Sequence, residues 1–354
     1  MQQLLSTFKG KKVFLTGHTG FKGTWLLHIL HLLGAQVKGY ALAPESSHDL
    51  YNQINGDTLC YTSVIADIRN NTLLQGELIR FEPDFVFHLA AQPLVRRSYQ
   101  EPVYTFDVNV MGTIHVLEAL RHLQKPCVAL MVTTDKVYEN TETGVAFMEE
   151  DKLGGHDPYS SSKAAAEIAI SSYSKSYFPP ERFQEHQKSI AALRAGNVIG
   201  GGDYATDRII PDIVRAIESG DTVKIRHPKA IRPWQHVLEP LFSYLELARL
   251  IQENPGQYEG AYNIGPDKND MLEVLEVAKW FIHYYGKGSY EIAQNQHAPH
   301  EAMHLMLDNH KISQTLKRSP RWSAQVAIQK TAEWYADKTT PALEKCKQQI
   351  LSFY

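Results

Sequence analysis

Tyr159 and Lys163 stand four residues apart in a segment whose residue types could remove a proton from a hydroxyl group. On a helix this spacing places both side chains on the same face. A tyrosine with an unperturbed pKa of about 10 is a poor base at neutral pH, but a nearby ammonium group favours the phenolate and lowers that pKa. We therefore predict that Tyr159 is a catalytic base and that Lys163 is its partner.

Thr134 is the third candidate for this chemistry. It follows the apolar run 128–132, which predicts a strand, and ligands of open α/β sheets bind at the carboxyl ends of the strands. Its hydroxyl could bond the same substrate oxygen as Tyr159. A tyrosine and lysine at this spacing are otherwise a common surface pair, so the prediction depends on the order of the three segments along the chain.

A glycine-rich turn lies near the N-terminus, directly after a predicted strand and before an amphipathic helix. A tight turn and a close approach of the backbone to a pyrophosphate both require residues without Cβ, and the helix N-terminus offers free N–H groups to the phosphates. A purely structural turn is the alternative. We predict a dinucleotide site and assign these residues to it: Gly17, Thr19, Gly20, Phe21 and Gly23.

The second predicted strand decides between the two nicotinamide cofactors. An acidic residue at its end would bind the adenosine ribose, and the nearest one is Glu45, beyond a proline. No arginine stands there to pair with a 2′-phosphate, so we expect NAD, with Lys163 also bonding the nicotinamide ribose. Asp67 and Ile68 follow the third strand and are predicted adenine contacts, although Asp67 could equally cap the strand end.

Short apolar runs alternate with helical patterns through the first half of the chain. Such runs suit strands that are buried on both faces, and the alternation predicts an α/β fold, a Rossmann-type doubly wound parallel sheet. We expect an NAD-binding domain over 1–199. A smaller, mixed α/β C-terminal substrate domain should occupy most of 200–354, with some segments returning to the main sheet. The predicted strands are 13–15, 37–42, 64–66, 85–89, 128–132 and 190–193; the predicted helices are 24–33, 108–123, 164–177, 208–219, 237–252 and 271–285.

The composition limits the possible partners. Lys and Arg number 36 against 39 Asp and Glu, a net charge of −3, which argues against nucleic-acid binding. There is no apolar run of about 18 residues and no signal peptide at the start, so we expect no membrane span. Three widely spaced cysteines predict neither disulfides nor zinc and favour a cytoplasmic location. The 16 histidines show no metal-ligand spacing, so no metal site is predicted.

Five longer motifs resemble the extended short-chain dehydrogenase/reductase family and, within it, the CDP-glucose 4,6-dehydratases. The resemblance covers roughly residues 8 to 340, as judged from motif positions. It adds the turn residues Ala90, Ala91 and Gln92 to the NAD site. The motifs are TGHTGFKG at 16–23, HLAAQPLVRRSY at 88–99, TTDKVYEN at 133–140, RAGNVIGGGD at 194–203 and IRPWQHVLEP at 231–240.

The resemblance implies an internal redox cycle on CDP-glucose or a related nucleotide sugar. Tyr159 takes the proton of the sugar 4-hydroxyl while hydride passes from C4 to NAD, water is lost across C5 and C6, and hydride returns to C6 to give a 4-keto-6-deoxy sugar for deoxysugar and O-antigen biosynthesis. Elimination needs an acid and a base. Family likeness makes Asp135 the acid and Lys136 the base, which requires a lowered lysine pKa. Lys136 could instead be only a charge partner of Asp135.

The resemblance also places a set of side chains around the nucleotide sugar. Arginines suit its two phosphates because the guanidinium group is planar and bidentate. The set is Arg97, Ser98, Asn197, Arg208, Arg232, Tyr262, His300 and Glu301. Apolar helices near 103–123 and 159–177 imply a homodimer, although burial within one subunit would explain them as well.

Two other readings stay open at this point. Another nucleotide-sugar 4,6-dehydratase or a 4-epimerase of the same fold would keep Tyr159 and Lys163, but an epimerase has no need of Asp135 and Lys136. A non-catalytic dinucleotide sensor is a different class of protein, and such proteins often lose the tyrosine or the lysine. Both residues are present here together with Thr134, which favours an enzyme.

Overall fold

The computed structural model describes residues 1–293 and 304–354. Its strands are β1 Lys12–Thr16, β2 Gln36–Ala41, β3 Thr62–Ile65, β4 Phe85–His88, β5 Cys127–Val132, β6 Lys188–Ala195, β7 Val198–Ile199, β8 Val223–Ile225, β9 Ile231–Arg232, β10 Gln235–His236, β11 Gly260–Ile264, β12 Leu272–Glu273 and β13 Tyr290–Ile292. Its α-helices are α1 Gln2–Phe8, α2 Phe21–Leu32, α3 Leu50–Gln53, α4 Asn71–Phe81, α5 Val95–Gln100, α6 Pro102–Phe106, α7 Gly112–His122, α8 Pro158–Ser176, α9 Phe183–His186, α10 Ile209–Ser219, α11 Leu238–Glu253, α12 Val274–Tyr285, α13 His310–Leu316, α14 Ala324–Ala336 and α15 Ala342–Phe353.

A parallel sheet of seven strands forms the centre of the molecule, in the order β11-β6-β5-β4-β1-β2-β3. The chain adds β2 and β3 on one side of β1 and then crosses to add β4, β5 and β6 on the other side. The order therefore reverses between β1 and β4, and a crevice for a ligand opens there at the carboxyl ends of the strands. The predicted Rossmann-type doubly wound sheet is confirmed.

Helices cover both faces of this sheet, which explains the uninterrupted apolar runs. Every residue of β4, β5 and β6 is buried, as expected for strands with a core on each side. One core contains α2 and α11 and extends to the C-terminal helices. The other contains α4, α7 and α8. The segments that follow β1, β4 and β5, which contain predicted cofactor and catalytic residues, are thus mounted on a rigid support.

Residues beyond 199 form a mixed structure and also contribute to the main sheet. Strand β11 pairs in parallel with β6, and α11 packs against β5 and β6. Three pairs of short strands complete this part, of which β9 with β12 is antiparallel. The expectation that C-terminal segments return to the main sheet matches this topology, while the division into 1–199 and 200–354 stays a prediction.

Several elements differ from the sequence-based expectation. The helix predicted over 108–123 begins earlier, at α6, and passes through a π-helical turn at Asp107–Met111 before α7. Several helices have no counterpart among the predicted ones: α1, α3, α4, α5, α9, α13, α14 and α15. No helix in the described ranges combines the length and apolar character needed to cross a bilayer.

A run of three glycines carries the chain from β7 toward α10 beneath the side chain of Trp334. A Cβ atom at Gly201 would lie 2.0 Å from the Trp334 indole, and the Gly201 carbonyl accepts a hydrogen bond from the Trp25 indole at 3.0 Å. Tyr335 holds the next turn through a 2.6 Å hydrogen bond from its hydroxyl to the Asp203 carbonyl. The glycines thus allow two buried aromatic side chains to fix the segment that leads to Arg208.

We expect Gly201→Ala to lower the free energy of unfolding by about 1–3 kcal/mol because the added methyl overpacks this contact. The matched control is Gly76→Ala, in α4, where an added Cβ meets nothing within 4 Å; removing a helical glycine there should be neutral or raise stability by up to about 1 kcal/mol. Urea denaturation of both variants measures the difference. Equal stability of the two variants would contradict the packing described here.

Candidate active site

The glycine turn between β1 and α2 has the geometry of an anion site. Gly17 has a φ of +75°, and a Cβ there would lie 2.8 Å from the backbone nitrogen of Ala90. A Cβ at Gly23 would lie 2.0 Å from the Gly17 carbonyl oxygen. Gly20 is the N-cap of α2 and no side chain caps this helix end. The N-terminus of α2 is therefore open to a phosphate group, and the residues present fit the pyrophosphate of NAD.

The turn after β4 is fixed against the glycine turn by buried hydrogen bonds. His88 Nδ1 lies 2.8 Å from the Thr16 hydroxyl, and its Nε2 lies 3.1 Å from the Thr113 hydroxyl. The Thr16 oxygen also accepts from the backbone N–H of Ala90 at 3.1 Å. Burial lowers the pKa of His88 to about 3, so the imidazole is neutral and serves as a fixed spacer. The predicted cofactor residues 90–92 therefore line the crevice beside Gly17.

The remaining predicted cofactor residues follow β1, β3 and β4 along the chain. The Thr19 hydroxyl donates to the Leu42 carbonyl at 2.8 Å. Asp67 accepts three hydrogen bonds from the Arg69 side chain, which lower its pKa, so this carboxylate is already partnered. Ile68 is buried and would contact a Cβ at Gly112. Phe21 begins α2, and Gln92 is buried with its side-chain nitrogen bonded to Thr105 and Leu94.

Helix α8 presents Tyr159 and Lys163 to this crevice. Asp157 caps the helix by accepting from the Ser160 N–H at 2.9 Å, and Pro158 occupies the first turn, where a missing N–H has no cost. Tyr159 and Lys163 are 8% and 6% exposed. The Ser98 hydroxyl accepts from the Tyr159 N–H at 3.1 Å and donates to the Val95 carbonyl at 2.6 Å. Ser98, predicted to contact substrate, thus holds the start of the catalytic helix.

The protonation state of Tyr159 differs from the expectation. Burial raises its pKa to about 12, opposed by a hydrogen bond with Thr134 and by the positive charge of Arg208. The Lys163 ammonium donates instead to the Val132 carbonyl at 3.3 Å. Burial lowers the Lys163 pKa to about 8, and the Glu167 carboxylate opposes this. The predicted downward shift of the tyrosine pKa is therefore wrong for the ligand-free protein, because desolvation of the phenol outweighs the nearby cations.

Asp135 and Lys136 form an ion pair beside the tyrosine, in the 3₁₀ turn Asp135–Val137. Asp135 is 0% exposed, and its Oδ1 accepts from Lys136 Nζ at 2.9 Å and from the Thr134 hydroxyl at 3.0 Å. Its Oδ2 is buried without a hydrogen-bond partner among the described residues. The Asn197 Oδ1 lies 3.5 Å from Lys136 Nζ. An orphaned carboxylate oxygen in a polar crevice is a place where a substrate hydroxyl can bind.

The predicted arginines at the substrate side have carboxylate or backbone partners. Arg208 forms an ion pair of 2.9 Å with Asp203, and its charge acts on Tyr159. Arg232 is buried and donates to the Ile231 carbonyl at 2.9 Å. The structure thus places Asn197 beside Lys136 and Arg208 near Tyr159. Arg232 lies on strand β9.

Two predicted substrate residues lie elsewhere. Arg97 pairs with Glu101 at 2.7 Å on the surface and stacks on Tyr104, so its charge already has a partner. Tyr262 is 3% exposed, and its hydroxyl donates to the Tyr258 carbonyl at 3.0 Å. This corrects Tyr262 from substrate contact to core residue, since it belongs to β11 of the main sheet. His300 and Glu301 lie outside the described residues.

Three charged residues at the site were not among those predicted from the sequence. Lys22 stands within the glycine motif, and burial together with the charges of Arg208 and Lys163 lowers its pKa to about 7. Glu167 and Arg194 form a buried ion pair on α8 and β6. The signal for Glu167 was its position four residues after Lys163, on the same helical face. In the described ranges, no three His, Cys, Asp or Glu side chains group as a metal site.

The comparisons with known proteins agree with this geometry. The family model described as GDP-mannose 4,6 dehydratase matches residues 14–331. A CDP-glucose 4,6-dehydratase from Salmonella typhimurium is 40% identical over 93% of this chain and 91% of its own length. A dTDP-glucose 4,6-dehydratase from Streptomyces antibioticus is 27% identical over 92% of each chain.

Solved structures show the same fold at lower identity. The dTDP-glucose 4,6-dehydratase DesIV from Streptomyces venezuelae, crystallised with NAD, has a TM-score of 0.77 at 22% identity and covers 92% of this chain and 97% of that one. The UDP-glucose 4-epimerase of Thermus thermophilus, also in complex with NAD, has a TM-score of 0.76 at 23% identity and covers 93% and 100%.

In the extended short-chain dehydrogenases/reductases, a glycine turn and a tyrosine–lysine pair meet at the carboxyl ends of a parallel sheet. This chain has that arrangement and is an enzyme of that class. The motifs beyond the turn and the match over 14–331 narrow the assignment: the chain belongs to the GDP-mannose 4,6 dehydratase family. The predictions of the family, the fold and a dehydratase enzyme are thereby confirmed.

We expect Tyr159→Phe to abolish oxidation of a bound sugar, because the phenol oxygen is the group placed to take the hydroxyl proton, while the affinity for NAD changes little. Reduction of bound NAD on mixing with nucleotide sugar measures the first property, and calorimetric titration with NAD the second. The matched control is Tyr177→Phe, at the exposed C-terminus of the same helix, which should behave as wild type. Normal turnover by the Tyr159 variant would contradict its role.

Proposed function

We propose that this chain converts CDP-glucose to CDP-4-keto-6-deoxyglucose with a permanently bound NAD. The observation that carries the proposal is the 40% identity, over 93% of the chain, with a CDP-glucose 4,6-dehydratase. The paired Asp135 and Lys136 at the site support it, because a dehydratase needs an acid and a base that an epimerase does not.

NAD would lie across the carboxyl ends of β1 and β4. Its pyrophosphate would bind the N-terminus of α2 at Gly20, and its nicotinamide ribose the Lys163 ammonium. NAD supplies the hydride acceptor for C4 and the hydride donor for C6. The neighbouring structures crystallised with NAD support this choice of cofactor.

Tyr159 would take the proton of the sugar 4-hydroxyl. The Thr134 hydroxyl, which opposes the rise of the phenol's pKa, would bond the same sugar oxygen. A phenol whose pKa is near 12 must be assisted, and the positive charge of Arg208, together with the Lys163 ammonium one helical turn along α8, would stabilise the phenolate. The positive charge of an oxidised nicotinamide ring beside them would add to this effect.

The Asp135–Lys136 pair would carry out the loss of water. Asp135 gives a proton to the departing 6-hydroxyl and Lys136 takes the proton from C5. The 2.9 Å hydrogen bond between Lys136 Nζ and Asp135 Oδ1 is the path by which a proton would pass between the two groups.

The nucleotide diphosphate would bind on the C-terminal side of the crevice. Arg208 and Arg232 are the cations predicted for the two phosphates, and Asn197 Oδ1 lies 3.5 Å from Lys136 Nζ. Arg208 would exchange the Asp203 carboxylate for phosphate oxygens, which is favourable because a guanidinium group binds phosphate through two parallel hydrogen bonds.

Purified protein incubated with CDP-glucose should give a 4-keto-6-deoxy product, detected by its absorbance in alkali and by mass spectrometry as the loss of one water. UDP-glucose, dTDP-glucose and GDP-mannose serve as comparison substrates and should react at least about tenfold more slowly. Formation of CDP-galactose without loss of water would identify an epimerase and contradict the proposal.

The Asp135→Asn variant is the matched control for the elimination step. It should still oxidise C4, since Tyr159 is unchanged, but bound NAD should remain reduced because the 6-hydroxyl receives no proton. Normal release of water by this variant would show that Asp135 is not the acid.

We also propose that the protein is a homodimer that acts in the cytoplasm in deoxysugar and O-antigen biosynthesis. Helices α6 and α8 lie against each other and expose apolar side chains, among them Val103 at 83% and Ile168 at 60%. A face of this kind on two packed helices suits a four-helix contact with a second copy. The three cysteines, all free thiols, suit a reducing compartment.

Ile168→Asp should convert the dimer to a monomer, because a carboxylate would be buried at the proposed contact. Size-exclusion chromatography with light scattering measures the mass. Leu351→Asp, at an exposed apolar position on α15, is the control and should leave the mass of the assembly unchanged. A wild-type monomer, or a dimer that resists the Ile168 substitution, would contradict this interface.

A further inference from the structure

Consecutive residues at the end of β5 are joined to one face of the catalytic helix. The Val132 carbonyl accepts from the Lys163 ammonium at 3.3 Å. The Thr134 hydroxyl acts on the Tyr159 phenol and opposes the rise of its pKa. These two contacts involve the catalytic pair, and a third contact made by the residue between Val132 and Thr134 has no role in the chemistry described so far.

That third contact is between Thr133 and Glu167. The Thr133 hydroxyl donates to Glu167 Oε1 at 2.5 Å. Glu167 follows Lys163 by four residues on α8, so that Tyr159, Lys163 and Glu167 form one stripe along the helix. The strand end and the helix are therefore held together at three successive helical turns.

Glu167 is itself fixed by a buried arginine. Arg194 Nε donates to Glu167 Oε1 and Arg194 Nη2 donates to Oε2, each at 3.0 Å. The two side chains are 5% and 4% exposed. A buried ion pair of this kind adds little stability over apolar residues of the same size. Its presence against the catalytic helix therefore calls for a role other than stability.

The Arg194 guanidinium group is also fixed by hydrogen bonds to residues other than Glu167. Its Nη1 donates to the Tyr138 hydroxyl at 2.8 Å, and that hydroxyl donates to Asn263 Oδ1 at 2.6 Å. Nη1 also donates to the Glu149 carbonyl at 2.9 Å. The guanidinium group is thus anchored to β11 and to the segment after β5, so it cannot follow Glu167 if the helix shifts.

We propose that Glu167 is a positioning residue for the C4 oxidation, which sets the place of the Thr133–Thr134 strand end and keeps the Lys163 side chain in its ammonium form. This inference rests on the proposed function. Arg194 holds the Glu167 carboxylate in place for both tasks, and neither residue touches substrate or cofactor.

The charge environment of Lys163 supports the second task. Burial lowers its pKa to about 8, and the negative charge of Glu167 opposes this. The other groups that face it are Tyr159 on its own helix, Lys22 from α2, whose pKa is also lowered to about 7, and the neutral His88 from β4. A second cation and a neutral imidazole give Lys163 no compensating charge, so loss of the Glu167 charge must lower its pKa further.

The direction of this change in the Lys163 pKa determines the expected effect on the pH dependence of activity. Lys163 acts as a cation, so activity falls as the pH rises through its pKa. Glu167→Gln keeps the shape and, with its amide oxygen at the Oε1 position, the hydrogen bonds from Thr133 and Arg194 Nε. It loses the bond from Arg194 Nη2 and removes the charge, which lowers that pKa. The alkaline decline of kcat/KM should therefore begin about one pH unit lower than in the wild type. Glu167→Asp keeps the charge and should retain the wild-type pH for this decline while kcat falls.

The pKa of Lys163 can also be read without a substrate. Isotope-labelled lysine gives an NMR signal for the Lys163 ε-carbon, assigned by its loss in Lys163→Arg, and its titration should move to lower pH in Glu167→Gln. An unchanged Lys163 titration, or an unchanged alkaline limb, would overturn the electrostatic role. If Glu167→Gln does not fold, Thr133→Val tests the positioning role: it should slow C4 oxidation about tenfold or more with NAD affinity unchanged, and a wild-type rate would overturn the proposal.

Failure of the substrate assignment can be told apart from failure of this inference. If the wild type oxidises UDP-glucose or dTDP-glucose rather than CDP-glucose, the proposed function fails and the Glu167 variants are compared with the accepted sugar. If no sugar is oxidised, the Lys163 titration alone decides.

Discussion

The docking of α8 on the end of β5 is the interaction on which the site depends. A tyrosine and a lysine at four-residue spacing become a catalytic pair only if the helix that carries them is held at one distance and one rotation relative to the crevice. The Ser98 hydroxyl and the Asp157 cap fix the start of the helix. Hydrogen bonds to Val132 and Thr133 hold the helix further along its axis. Strand β5 is itself buried along its whole length, and close packing keeps it in place.

The electrostatics of the crevice follow from the same burial. Lys22, Lys136, Lys163 and Arg208 lie near one another, with Asp135 and Asp203 as partners. Burial lowers the pKa of Lys22 and Lys163 and raises the pKa of Tyr159, and the charges of Arg208 and Lys163 lower the Lys22 pKa further. A dinucleotide and a nucleotide sugar each bring a diphosphate to this crevice. Their negative charges therefore complete an arrangement that is unbalanced without them.

The sequence predicted the parts of the molecule that local rules determine. Short apolar runs predicted six of the seven strands of the main sheet, all except β11. The glycine spacing predicted the turn at Gly17, where the structure leaves no room for a side chain. The motifs brought Asn197 and Arg208 to the right side of the crevice. Local rules do not predict long-range contacts. Nothing near them in the sequence indicates that Arg194 pairs with Glu167 or that Ser98 bonds the backbone of Tyr159. The same holds for the burial of Tyr262 in the core. The predicted protonation state of Tyr159 was wrong for the same reason, because desolvation depends on every group that packs around the phenol.

Strand β11 closes one edge of the sheet, and this has a consequence for how the protein is made. Its neighbour β6 is buried along its whole length, yet the two strands are separated by more than 60 residues of chain. During synthesis the first six strands leave the ribosome with the apolar edge of β6 unpaired, and such an edge invites pairing with another nascent chain. Until β11 arrives, the growing polypeptide is a candidate client for chaperones. The yield of folded protein in a cell should thus be sensitive to how quickly residues 196–264, from the end of β6 to the end of β11, are translated.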